Sequence, residues 1–579
     1  MITNALEPSL IRRLAASLVI VLVTYLPAAH GQAGEDAAKS SLTLSGNVIN
    51  SVTREPVPRA LVYSPDNRFA MFTDDQGHFE FKIVFPSGEK SASGLQPNFF
   101  GPTTLTARKP GFLENESQSS IEPDSRDVTL TLVPEALIVG RVNVPAANQA
   151  DRITVEAYQR QVSEGRARWV SVGSVRTRSN GEFRIANLRA GTYKLFTGEM
   201  LDRDPLTFDP QGQAYGYPPI YYPAASDFGS AAPIVLEAGK TLQVELSPVL
   251  QAYYPIQIAI ANGEAGAPIA VSVARQGNKG PGYSLGYEGE SITGALPNGT
   301  YTVEAVRQGQ PPASGVTTIT VRGAPLMNAA ITLLPGGLIP VNVRTELRPG
   351  SRRENPPGIV SSGGFTRQQT VYVSLEPADE FNQGGGAWPR PPQQNNDNAL
   401  VLQGVRPGRY WVKVSPYRGE EYVASVVSNG VDLLHNPLVV GPGGASGAID
   451  VVLRDDSGAL DGMVDGVTRT ARAPAGFSGE PGAVSVGPMP PSEVFYVYCI
   501  PLADSPGHFS QGTVSSDGSF HIPNLPPGAY RVLAFDRPQQ ELEYLNPEAM
   551  STYEGKGPVV RVAPGGSERV RLTLIRSCE

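Results

Sequence analysis

The sequence predicts an all-β protein, a tandem array of about five small β-sandwich modules behind a leader segment. Three observations predict it. The composition is rich in turn-formers and poor in charge, one polar turn ending in Gly-x-Phe occurs three times, and one Gly-x-Tyr step occurs four times at near-constant spacing.

Composition limits the choices first. Among 579 residues there are 62 Gly and 53 Pro, and only 18% are charged. Gly and Pro are the poorest residues in a helix interior, so long helices are disfavoured. A hydrophobic content of 40% with a net charge of −8 also disfavours disorder. The same charge gives no reason to expect nucleic acid, which demands clustered Lys and Arg; pairs such as Arg352–Arg353 are not patches.

Residues 1–33 read as a signal peptide. Arg12 and Arg13 precede an apolar run of 13 residues (14–26, LAASLVIVLVTYL), Pro27 ends it, and Ala28, Ala29, Gly31 and Ala33 supply small residues for cleavage. A membrane span needs about 20 apolar residues, so the run fits a signal-peptide core, and no later stretch is long enough for a transmembrane helix. The expected location is secreted, periplasmic or cell-envelope.

The turn signature is Thr73-Asp74-Asp75-Gln76-Gly77-His78-Phe79, repeated as Thr177-Arg178-Ser179-Asn180-Gly181-Glu182-Phe183 and Val514-Ser515-Ser516-Asp517-Gly518-Ser519-Phe520. Polar residues favour a tight turn, Gly accepts the left-handed φ, and Phe opens the returning strand on its buried face. The second signature is an apolar residue, two turn-formers, Gly, a spacer and Tyr. It occurs at Leu188–Tyr193, Leu296–Tyr301, Val405–Tyr410 and Leu525–Tyr530, with the Tyr positions 108, 109 and 120 residues apart. That period predicts modules over 42–134, 135–248, 249–335, 336–455 and 456–579, each the size of a seven-stranded sandwich.

The first module carries a further pattern: Gly46-Asn47-Val48-Ile49, then Pro56-Val57-Pro58-Arg59-Ala60-Leu61-Val62, then the turn signature, then Lys109-Pro110-Gly111-Phe112. In this order the pieces resemble the carboxypeptidase regulatory-like family. The match is complete over 42–134 and partial over 135–248, through Gly140-Arg141-Val142, and over 456–579; residues 249–455 share only the Gly-x-Tyr step and strand spacing. The resemblance implies an Ig-like or transthyretin-like (carbohydrate-binding-like) sandwich used as an accessory, surface or adhesive module. Related pilin-type sandwiches carry a Lys–Asn crosslink whose Lys lies in the first strand. Residues 42–49 and 136–144 contain no Lys, so the crosslink is not expected in the first two modules.

Catalytic patterns are sparse. The five histidines (His30, His78, His435, His508 and His521) include no His-x-x-Glu or His-Glu-x-x-His, and no Gly-x-Ser-x-Gly occurs. His508 and His521 flanking one hairpin read as surface residues rather than metal ligands, and Asp74, Asp75 and Asp517 as turn residues rather than calcium ligands. No metal and no cofactor is expected. A carboxylate pair for glycoside hydrolysis is not excluded by sequence.

Aromatic residues give the better lead. Tyr215, Tyr217, Tyr221 and Tyr222 lie in a Pro-rich stretch that reads as neither helix nor central strand, either as a ligand-facing platform for sugar rings or Pro-rich peptide, or as the cap of their own sandwich. Phe99, Phe100 and Trp388 are weaker cases. Cys499 and Cys578, both in the last module of an exported chain, are expected to form a disulfide. The functional expectation is a non-enzymatic exported envelope or surface protein whose modules bind carbohydrate or an envelope protein, or mediate adhesion. The alternatives are a spacer without a ligand site, and a hydrolase.

N-terminal sequencing of the exported protein is expected to begin near Gln32 or Gly34; an intact Met1 on exported material would overturn the leader assignment.

Overall fold

The computed structural model describes residues 41–576 apart from 67–68, 85–103, 115–117, 121–126, 145–152, 202–212, 265, 277–280, 310–311, 349–370, 382–392, 395–399, 417–420, 445, 468–493 and 504. The leader, Phe99, Phe100, Trp388 and Cys578 lie outside the described residues. The fold is all-β: among the described residues the only α-helix is Pro547–Ser551, against some forty strands.

One pairing scheme recurs along the chain. An opening strand pairs antiparallel with a strand that returns from a turn, and parallel with a closing strand. Ser41–Asn50 pairs with His78–Val84 and Val128–Leu132; Ala136–Val142 with Glu182–Leu188 and Thr241–Leu246. Gln251–Ala261 pairs with Ser291–Pro297 and Leu326–Thr332; Gly337–Glu346 with Leu400–Val405 and Ile449–Arg454; Gly458–Asp465 with Ser519–Leu525 and Ser567–Ile575. A second layer of strands packs behind each, as a separate sheet in the first four and, in the fifth, joined to the first layer through the pairing of Gly528–Phe535 with Ser567–Ile575; the apolar residues between form five separate clusters, spanning 44–132, 136–246, 256–333, 339–453 and 460–572.

The two signatures are the parts that close each core. Phe79, Phe183 and Phe520 are buried, and each lies opposite a glycine of its opening strand, Gly46, Gly140 and Gly462. A Cβ at these glycines would stand 2.6, 2.8 and 2.4 Å from the facing ring and as close to a carbonyl of the closing strand, so only Gly lets the ring lie across it. The turn glycines Gly77, Gly181 and Gly518 have φ of 73°, 80° and 86°, and their carbonyls accept from Val48, Val142 and Val464 of the same opening strands at 2.8, 2.9 and 2.9 Å. Asp74, Asn180 and Asp517 accept backbone N–H groups inside their own turns, the use that turn chemistry predicts for them.

In the second sheet, Tyr193, Tyr301, Tyr410 and Tyr530 are buried at the start of strands Gly191–Thr197, Gly299–Arg307, Gly408–Pro416 and Gly528–Phe535. Each hydroxyl donates to the carbonyl four residues back: Arg189 at 2.7 Å, Pro297 at 2.9 Å, Arg406 at 3.0 Å and Pro526 at 2.5 Å. Tyr301 and Tyr410 fold back over the Gly two residues earlier; a Cβ on Gly299 would meet the Tyr301 hydroxyl at 3.0 Å, and one on Gly408 the Tyr410 ring at 3.3 Å.

Two departures from a plain string of modules position the sites below. Met200–Leu201 and Ala214–Tyr217 leave the second cluster's sheets and extend the third sheet by pairing onto Gln251–Ala261. The hairpin Thr154–Ser163/Arg166–Arg176 reaches far enough for its tip to touch Glu376, Phe381, Trp411, Glu543 and Tyr544.

Tyr301→Phe deletes a donor to a buried carbonyl, and is expected to cost about 1–2 kcal/mol. Hydrogen exchange should then show the amides of Gly299–Arg307 losing roughly tenfold of their protection while Gly528–Phe535 is unchanged.

Candidate functional site

The four tyrosines singled out in the sequence do not form a platform. Tyr217 and Tyr221 are each 2% exposed, Tyr222 is half-buried against the same cluster as Tyr217, and Tyr215 alone is exposed, at 46%. The reason is that Ala214–Tyr217 is a strand inside a sheet, held between Met200–Leu201 and Gln251–Ala261, since the prolines begin only at Pro218. Tyr221 packs into an aromatic cluster with Tyr158, Trp169, Phe196 and Phe228, and its hydroxyl donates to Pro281 at 2.5 Å. These rings fasten the second cluster to the third.

The expected Cys499–Cys578 disulfide has only one of its two cysteines among the described residues. Cys499 is a free thiol inside strand Phe495–Pro501, fully buried, and burial pushes its pKa up to about 12. Cys578 lies outside the described residues. Ile575 stands opposite Phe535, whereas Cys499 stands opposite Val532, about 10 Å back along the same strand.

His521 pairs with Asp461 at 2.8 Å, while His508 is half-buried, with its Nε2 buried and without a hydrogen-bond partner among the described residues. Burial holds His508 below the ordinary imidazole range. Among the described residues no group of three metal-ligating side chains occurs.

What the structure does bring together is a set of arginines. The outer face of Glu182–Leu188, Ala136–Val142 and Thr241–Leu246, with the end of Arg166–Arg176 and the turn after it, encloses a groove of about 620 Å³. Arg141, Arg176, Arg178 and Arg184 line it, together with Glu182, Glu245 and Gln243. The register sets one row as Glu182–Arg141–Glu245 and the next as Arg184–Val139–Gln243. Arg141 donates from Nε to Asn180 at 2.9 Å, and Arg184 reaches Glu135 at 3.4 Å. Arg176 and Arg178 are exposed and have no ion pair among the described residues. Four guanidinium groups thus face one groove on a chain that is acidic overall, two of them without an ion pair or hydrogen bond among the described residues. Sequence reasoning missed it because Arg141 joins Arg176, Arg178 and Arg184 only through the register of Ala136–Val142 with Glu182–Leu188, which no spacing in the sequence marks.

A second polar cluster lies where the second and third clusters meet. Glu199 Oε2 accepts from the Ser284 amide at 3.1 Å and from its hydroxyl at 3.3 Å. Its Oε1 is buried beside the Tyr253 hydroxyl, and neither atom has a well-formed hydrogen bond. Burial pushes the Glu199 carboxyl up to about 7, against the opposing pull of its hydrogen bonds.

No family model matches the chain, that of the carboxypeptidase regulatory-like family included, and no curated protein matches it. Among solved structures it is similar to the Bacillus anthracis TIE protein at 11% identity, over 72% of this chain and 69% of that one, with a TM-score of 0.14. It is also similar to the pilus adhesin SpaC of Lactobacillus rhamnosus GG at 12% identity, over 51% of this chain and 43% of that one (TM-score 0.15). The Streptococcal ancillary pilin matches at 11% identity, over 51% of this chain and all of that one (TM-score 0.17). Superpositions at these scores carry no argument, and the fold rests on the strand ladders themselves.

A carboxyl whose folded pKa is raised stabilises the fold below its unfolded value, and that stability is lost as pH rises through the folded value. The junction held by Glu199 is therefore expected to loosen between about pH 4.5 and pH 7, by roughly 3 kcal/mol. Hydrogen exchange of Ala214–Tyr217 across that range checks it, and Glu199→Gln should flatten the profile.

Proposed function

We propose that this chain is a non-enzymatic exported surface protein of five separately folding modules, and that it binds acidic polysaccharide through the arginine-lined groove of its second module. The observation that carries the reading is the pair Arg176 and Arg178, without a carboxylate partner among the described residues, facing the same groove as Arg141 and Arg184. Guanidinium groups pair with carboxylate, sulfate or phosphate in a bidentate fork, so a polymer bearing such groups fits this lining. The groove exposes no aromatic ring, since Phe183 is buried beneath it, so recognition there runs on charge rather than on sugar stacking.

The rival readings have less support. A carboxylate pair for hydrolysis needs one acid kept protonated by apolar burial, and Glu182 and Glu245 are both exposed with Arg141 between them. A simple spacer has no use for a hairpin that ties the second module to the fourth and fifth.

On immobilised glycans, an acidic polymer such as polygalacturonate is expected to bind, and neutral dextran is not. Arg176→Ala with Arg178→Ala should weaken binding about tenfold or more, and about 0.5 M salt should abolish it, because exposed charges are screened within a few ångströms at that strength. Equal binding of the neutral polymer, or an unchanged affinity in the double variant, would sink the proposal.

A further inference from the structure

At the other end of the strand that supplies Arg176, about 20 Å away, lies a different kind of site. Arg166–Arg176 is the outermost strand of its sheet, so its outward backbone groups have no strand partner within that sheet. At Trp169 this edge is occupied: the Trp169 amide donates to the Glu380 carbonyl at 2.8 Å, and Trp169 and Phe381 form a parallel bridge. Glu380 and Phe381 come from the fourth cluster's part of the chain, more than two hundred residues away. The contact is strand addition in miniature, in which main-chain hydrogen bonds hold the guest and a pocket selects its side chain.

The pocket is built for a ring. Phe381 inserts with its centroid 5.0 Å from Tyr158 and 4.8 Å from Phe228, and Trp169 closes on Phe228 at 5.5 Å edge-on. Tyr221 and Phe196 form the floor. Lys194 braces the wall from within: its Nζ donates to the Phe228 and Gly229 carbonyls at 2.6 and 3.2 Å, and lies 4.7 Å from the Phe228 ring and 5.1 Å from the Trp169 ring. All of these residues belong to the second module, and Phe381 is the ring that packs against them from the fourth cluster's part of the chain.

The surroundings match an acidic guest. Glu376 takes Arg168 at 2.7 Å and also Lys413, which holds Glu164 at 2.7 Å. Arg166 stacks 3.7 Å over Trp411. On the far side of the hairpin Arg160 grips Glu543 with both guanidinium nitrogens, one at 2.9 Å. The docked segment reads Glu376-Pro377-Ala378-Asp379-Glu380-Phe381, three carboxylates leading to one aromatic ring.

We propose that the Trp169 edge and the Tyr158–Trp169–Phe228 pocket form a peptide-binding site for an extended acidic segment ending in an aromatic residue, and that Glu376–Phe381 of the same chain fills it in cis. A covalently tethered guest acts at an effective concentration of about millimolar, so a free segment of the same chemistry binds only when the cis guest is weakened.

The test uses the full exported chain and a synthetic peptide, acetylated and amidated, of sequence 376–381. Phe381→Ala empties the pocket, and Trp169 emission is expected to shift to the red. Saturable peptide binding should restore it, whereas the unmodified protein should show at least tenfold weaker binding. Replacing the peptide's Phe by Ala, or its three acids by amides, should weaken binding at least tenfold. Circular dichroism reports whether Phe381→Ala keeps its β spectrum; should it not, Glu376→Gln retains Phe381 while removing the contacts to Arg168 and Lys413, and is expected to let the peptide in at the same concentrations. No saturable binding to either folded variant up to about 10 mM, or equal binding to the unmodified protein, overturns the proposal.

Discussion

Four times along the chain a tyrosine hydroxyl reaches back to the carbonyl four residues before it, and the rest of each module depends on that bond. It ties the loop between the two sheets to the central strand of the second sheet. The ring that makes the reach fills the core, and at Tyr301 and Tyr410 the Gly two residues earlier leaves room for it. An unsatisfied carbonyl in that position would cost on the order of a hydrogen bond, so loop, ring and strand are fixed together. The opposite sheet is closed by the second device, a Phe lying across a Gly of the opening strand. In the first module that device works without a Gly-x-Tyr step, and its central strand Thr104–Arg108 is reached by another route.

Much of this was legible because both devices are local in sequence. Gly, a spacer and Tyr, or Gly, a spacer and Phe, suffice to mark a returning strand, and the buried rings at Phe79, Phe183, Phe520, Tyr193, Tyr301, Tyr410 and Tyr530 follow from residue parity. Gly462-Met463-Val464 was an equally readable copy of the Gly-x-Val opening that the sequence reading passed over. Of the two readings the Tyr215–Tyr222 stretch allowed, burial favours the packed one over the ligand platform, and the sequence left both open for a physical reason. Tyrosines among prolines are equally compatible with an exposed loop and with a packed position, and the strand that pairs with Ala214–Gly216, Gln251–Ala261, lies more than thirty residues on. The arginine groove and the Phe381 pocket were illegible because register and long-range docking assemble them, and neither leaves a periodic trace.

The second module emerges as the place where the chain's interactions converge. Its inner faces hold its own core, one outer face carries the arginines, and its long hairpin holds parts of the fourth and fifth clusters. The contacts at the hairpin tip combine ion pairs, a cation over an indole and an inserted ring. Such a mixture is strong only while all parts are seated, because exposed ion pairs alone contribute little.

The parallel pairing of opening and closing strands has a mechanical consequence. A chain pulled from both sides of a module drags these two strands in opposite directions along their shared ladder. Every hydrogen bond between them is then loaded at once, in shear, instead of being peeled off singly. The same geometry occurs five times, and the closing strand of one unit passes to the opening strand of the next within a few residues, as from Leu132 to Ala136 or from Arg454 to Gly458. Tension would therefore pass from clamp to clamp with little slack, after the hairpin contacts had given way as a first, sacrificial extension.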